Sequence, residues 1–174
     1  IKRRHNGIEV KKSNNVHLSG IHFVGCAFEF LDSNNCVIEN CHVLYGSYSR
    51  EIWNRYKFEF KRGEKNPSCL IAGAHNTVRR CTVGFSFGNG LVVRGAHNLI
   101  EENLIHDMCW NGSLDYVGLR VSMYERPTDH KESDKSHNVV RRCTVMNGGN
   151  ALVHTSGPGH LVELCHVYNG GRAC

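Results

Sequence analysis

Five side chains able to do acid–base or anion chemistry and one indole ring fall close together in IHDMCWNGSLDYVGLRV (105–121): His106, Asp107, Asp115, Tyr116 and Arg120, with Trp110. The next stretch, SMYERPTDHKESDK (122–135), adds Tyr124 and Glu125, and an earlier one, LYGSYSREIWNRYKFEFKRGEKNP (44–67), adds Trp53 among several charges. Asp107, Asp115 and Glu125 are the acids that stand near aromatic residues, so they are the candidates for a proton donor and its partner carboxylate. His106 and Tyr116 are candidate bases. Arg94 and Arg120 are candidate clamps for an anion or a hydroxyl. Rings interleaved with charges suit a ligand that has apolar C–H faces and a hydroxyl rim, stacking on Trp53, Trp110, Tyr116 and Tyr124 while charged groups take its polar edges.

The elements that must position these groups are repeats. HNTVRRCTV (75–83) returns as HNVVRRCTV (137–145), with looser relatives at 15–23, 35–43, 97–105 and 159–167. The spacing of the starts fits a unit of about 20–22 residues with a long insertion in two of the units, the signature of a solenoid whose coils pack only on their neighbours. A second apolar run precedes each frame: GIEV, AFEF, SCLI, GLVV, VGLRV and NALVH. Every unit therefore offers at least two strands. Within a frame the apolar positions alternate and then slip once. Val78, Cys81 and Val83 point one way while Arg79 and Thr82 point the other, which is strand periodicity broken by a bend. Asn, Gly and Ser mark the joints.

Short strands at equal spacing imply a parallel β-solenoid. The pattern N-x-[VI]-x-x-[CN]-x-[VIF], with a preceding G-[LI]-x-[VI], resembles the right-handed parallel β-helix repeats of the pectate-lyase-like superfamily over nearly the whole chain. That resemblance implies an all-β, single-stranded right-handed helix of about six coils, three sheets wound into a triangular prism, and carbohydrate-active chemistry along one outer face. It also implies a secreted or periplasmic protein. The expected organisation is a single domain over 1–174, with insertions at about 44–67 and 108–135. Neither end reads as a cap, so the chain is expected to be a segment of a longer helix.

The frame also says which residues to set aside. In a parallel helix, equivalent residues lie about 4.8 Å apart, so Glu39, Arg79, Glu101, Arg141 and Glu163 should stack as a ladder of alternating sign, each arginine meeting carboxylates above and below. Exposed pairs of this kind contribute about 0–1 kcal/mol each, and their use is register. Cys41, Cys81, Cys143 and Cys165 share a repeat position with Ile21 and Asn103, which makes them packed thiols rather than zinc ligands or disulfides. His75, His97 and His137 stand at one turn and should stack. In the strand LVVRG, Arg94 points outward, as does Arg120 one coil on, so the two should form a like-charge pair on one sheet beside the 108–116 connection.

A net charge of +5 fits an anionic partner, but the basic residues are paired in the ladder instead of gathered into a stripe, which argues against nucleic acid. No apolar run reaches the roughly 20 residues that span a bilayer. The expected partner is a polysaccharide or oligosaccharide. Glycosidic hydrolysis stands first, with two of Asp107, Asp115 and Glu125 about 5–9 Å apart. Elimination from a uronic-acid polymer stands beside it, with Arg94 and Arg120 neutralising the substrate carboxylate and His106 or Tyr116 taking the α proton. A non-catalytic glycan-binding or structural helix is the third reading. No cofactor or metal is expected, apart from calcium if the protein is a lyase.

Overall fold

The structure, a computed structural model, describes residues 6–47, 67–109, 116–122 and 136–171. They form six coils of three strands each. The first holds β1 (Asn6–Lys11), β2 (His17–Ser19) and β3 (His22–Val24), and the second β4 (Ala27–Leu31), β5 (Val37–Glu39) and β6 (His42–Leu44). The third holds β7 (Pro67–Ala72), β8 (Thr77–Arg79) and β9 (Thr82–Ser86), and the fourth β10 (Asn89–Arg94), β11 (Leu99–Glu101) and β12 (Leu104–Met108). The fifth holds β13 (Leu119–Ser122), β14 (Val139–Arg141) and β15 (Thr144–Gly148), and the sixth β16 (Val153–Ser156), β17 (Leu161–Glu163) and β18 (His166–Gly170). Strands of like place stack into three six-stranded sheets, each pairing parallel with the coil before and after. The protein is a right-handed parallel β-helix.

The nine-residue frame is two strands, not one. In HNTVRRCTV, Thr77–Arg79 lies in the second sheet and Thr82 begins the third, and the slip between them is Arg80 at φ +51°. The same bend is made by Asn40, Glu102, Arg142 and Leu164 at φ 52–54°. One left-handed residue turns the chain and sends the next side chain inward. Cys41, Cys81 and Cys143 occupy that inward position, are buried, and donate their S–H to the carbonyl two residues back. Burial pushes the Cys81 thiol up to about 12 and that of Cys143 to about 11. In the fourth coil Asn103 replaces cysteine, its Oδ1 accepting the Cys81 N–H at 2.9 Å and its amide donating to the Val78 carbonyl at 2.9 Å.

The bend between first and second sheets is held by a buried asparagine ladder. Asn76, Asn98 and Asn138 each accept a backbone N–H from the preceding coil, at 2.9, 2.9 and 2.8 Å, and each donates its amide to a carbonyl of that coil. Buried polar groups that are fully bonded fix register without leaving orphan donors. Beside them the rings of His75, His97 and His137 stack, with centroids 5.0 and 5.6 Å apart.

Glu39, Arg79, Glu101, Arg141 and Glu163 are in register across the second sheet. Each ladder arginine bonds the carboxylate of the coil before it, Arg79 Nε to Glu39 at 2.7 Å and Arg141 Nη2 to Glu101 at 2.8 Å. Contact in the other direction is confined, among the described residues, to Arg80 and Glu102 at 3.9 Å. The expectation of carboxylates both above and below is therefore half right: a guanidinium that forks onto one rung has its donors turned away from the next. Within the expected insertion at 108–135, β13 at 119–122 takes its ordinary place in the first sheet.

Candidate functional site

His106 is the third residue of β12, where alternation turns its side chain out from the core beside Ile105, which is fully buried. Asp107 follows at φ +54°, in a left-handed bend one residue before the strand's end. The bend brings two consecutive side chains, which in a regular strand would face opposite ways, to the same outer side. His106 Nδ1 and Asp107 Oδ2 are 2.7 Å apart, with side-chain exposures of 13% and 33%. With the carboxylate ionised, Nδ1 donates and Nε2 keeps the lone pair. The imidazole lies across Gly84 of the coil before, so closely that a Cβ there would sit 2.5 Å from Nε2 and 2.6 Å from Cε1. Its edge meets the ring of Phe85, centroids 5.1 Å apart at 85°. One acid–base group is thus oriented by a carboxylate, walled by an aromatic ring and seated over Gly84, with its side chain 13% exposed.

Arg94 and Arg120 lie on the outer side of the first sheet, one coil apart. They do not stack. Arg120 is in register with Val92 and His154, and Arg94 with Ala72 and Ser122. Their relation is diagonal, with Cα atoms about 7–8 Å apart, which relieves the like-charge repulsion that a stacked pair would carry. Arg120, near the start of its strand, faces the bend that carries the dyad. Its charge reaches Cys109, where it opposes the burial that raises that thiol to about 12. Arg94 ends its strand and is turned toward the opposite bend. Of the pair, Arg120 stands at the strand end that follows the His106–Asp107 bend in the chain, and its charge is felt at Cys109.

Tyr116 does not join them as a surface base: it is half-buried, packed against the hydrophobic core, and its carbonyl accepts the Asn150 amide at 3.0 Å. Trp53, Trp110, Asp115, Tyr124 and Glu125 lie outside the described residues, as do most of the 44–67 and 122–135 segments. Of the three candidate acids, Asp107 is thus the one the structure describes, and it is bonded to His106. Among the described residues no three His, Cys, Asp or Glu side chains come together where they could hold a metal ion.

Sequence reasoning missed Tyr45 and Phe85. They occupy the same bend position as Asp107, at φ +57° and +54°, where the remaining coils have Gly25, Asn147 and Asn169. Glycine and asparagine are what that backbone favours, and a bulky ring there is an outlier. The two rings stack, with centroids 5.5 Å apart and planes 22° apart, and Tyr45 is half exposed. Aligning the residue three past the start of each third-sheet strand would have found them, because two aromatic residues interrupt a column of turn formers. Tyr45, Phe85 and His106 form a continuous ridge over three coils.

No protein-family model matches the chain, and no curated protein does. Among solved structures, the crystal structure of alginate lyase from Paenibacillus sp. str. FPU-7 superposes with a TM-score of 0.55 at 13% identity, over 96% of this chain and 70% of that one. At that identity the likeness is one of fold.

Proposed function

We propose that this β-helix belongs with the pectate-lyase-like proteins and is a polysaccharide lyase, cleaving a uronic-acid polymer by β-elimination. The observation that carries the reading is the His106–Asp107 pair at 2.7 Å on the outer ridge. Asp107 bonds Nδ1, which leaves the role of base to Nε2, the atom seated over Gly84. Nε2 takes the proton from the carbon α to the substrate carboxyl, and the C–H electron pair becomes the new C=C bond. The adjacent C–O bond breaks, and the departing oxygen recovers a proton from the imidazolium. Arg120 supplies the positive charge that the carboxylate needs as electron density builds on it.

Elimination is preferred to hydrolysis because it needs one oriented base and a cation, roles that this reading gives to His106 and Arg120. Hydrolysis needs two carboxyl groups across the scissile bond, and Asp107 is bonded to His106. The shared fold with an alginate lyase supports the same choice. A polymer of this kind is met outside the cytoplasm, so the reading carries a secreted or periplasmic location with it.

The test is a panel of alginate, pectate and other uronate polymers, followed by ultraviolet absorbance of unsaturated uronate and by reducing-end release. Both signals should rise together with the wild type, and His106→Asn should lower them by roughly 10²- to 10⁴-fold. Reducing ends without unsaturated product would place the protein among hydrolases. Wild-type turnover retained by His106→Asn would remove the dyad from the chemistry.

A further inference from the structure

We infer that Tyr45 and Phe85 are a stacking subsite for the sugar rings of an acidic polymer lying along the helix axis. They would hold the part of the chain two coils to the N-terminal side of His106. The inference rests on the proposed function for the identity of its ligand and goes beyond it in assigning a binding direction. The bend column of the third sheet reads Gly25, Tyr45, Phe85, Asp107, Asn147, Asn169 from the first coil to the sixth. Each step is one interstrand distance, about 4.8 Å, so Tyr45 and Asn169 each lie roughly 10 Å from Asp107.

The two sides of the dyad differ in chemistry. Toward the N-terminus the column is aromatic, with the Tyr45 and Phe85 rings stacked and Phe85 in turn against His106. Toward the C-terminus it is amide, with Asn169 Nδ2 donating to Asn147 Oδ1 at 3.1 Å on an exposed surface. Glycine and asparagine, which fill this column at Gly25, Asn147 and Asn169, make the same turn with less strain than tyrosine. A half-exposed tyrosine offers a ring face for sugar C–H groups and a hydroxyl for the sugar rim. Amide side chains offer donors and acceptors to hydroxyls and carboxylates. A protein partner fits less well, because the ridge is one side chain wide and breaks into charged and amide groups after two rings.

Tyr45→Asn is the test variant, because asparagine already makes this bend in the fifth and sixth coils and the fold should be kept. Binding is measured calorimetrically with oligouronates of increasing length, in an inactive His106→Asn background so that ligand is not consumed. Adding Tyr45→Asn should weaken binding of long oligomers by about five- to tenfold, the size of one lost aromatic stack. Disaccharides, too short to reach from the dyad, should bind unchanged, and Tyr45→Phe should retain most of the long-oligomer affinity. Unchanged affinity for long oligomers in Tyr45→Asn, an equal loss for disaccharides, or no binding of any oligouronate to the parent overturns the inference. If His106→Asn proves fully active while Tyr45→Asn still weakens binding with that length dependence, the subsite stands and the assignment of the base fails.

Discussion

Gly84 shapes the candidate site as much as the residues that would react, because the His106 imidazole occupies the space its side chain would fill. A methyl group in that space must move the ring, and the ring is held by Asp107 on one side and Phe85 on the other. Gly84→Ala is therefore expected to lower turnover by about ten- to a hundredfold, the loss that follows a displacement of about 1 Å at a reacting group. Thermal stability should change little, since alanine is the better strand residue at an extended position. A variant with full activity would show that the imidazole need not lie over Gly84. The motif HD was visible in the sequence, but nothing there revealed that the glycine twenty-two residues earlier makes room for it.

At the scale of the strand and its bend, one repeated unit serves two ends. The second-sheet ladder fixes register through charge, and the third-sheet bend turns outward whatever residue stands three past the strand start. Glu39 shows how the ladder depends on pH. Hydrogen bonds from Arg79, at 2.7 Å, and His17, at 2.9 Å, hold its carboxyl below the ordinary carboxylate value. A group whose folded-state value is lowered stabilises the fold fully above its unfolded value, and that contribution is lost as pH falls through the folded one. Thermal melts in descending pH should therefore show a fall that begins near the ordinary glutamate range and continues below it. Glu39→Gln should be less stable at neutral pH and should melt with a shallower acid limb. Equal acid slopes in the two proteins would mean that the ladder carries no linkage at this rung.

The molecule as a whole is a stack, and its ends are unequal. Inward residues of the first coil are well covered, with Leu18 at 8% and Phe23 at 4% exposure, whereas their sixth-coil counterparts Val162 and Val167 are 43% and 49% exposed. In a solenoid each coil is stabilised by its own packing and by its neighbours, so opening should start where apolar cover is thinnest. Native-state hydrogen exchange on this chain should find the amides of β16, β17 and β18 exchanging first and those of β8 and β11 last. Exchange that began at β1 to β3 would contradict the burial pattern. The dyad and the aromatic ridge lie in the second to fourth coils, away from the exposed end and on the better supported part of the stack.

The fold was legible in the letters because a solenoid repeats its physics every coil. Alternation marked the strands, a fixed offset of about 20 residues marked the stacking, and the shared cysteine position marked the core. Glu39, Arg79, Glu101 and Arg141 could be placed in one column by spacing alone, since strand pairing at constant register leaves few other arrangements. Tertiary structure decided what spacing could not. It set Arg120 diagonal to Arg94, laid His106 over Gly84, turned Tyr116 toward the core, and lined up Tyr45 and Phe85. Those contacts depend on which left-handed bend ends each strand and on how far a side chain reaches into the next coil. Such distances across the stack have no fixed period along the chain, and so the repeat that specifies the scaffold says little about the site built on it.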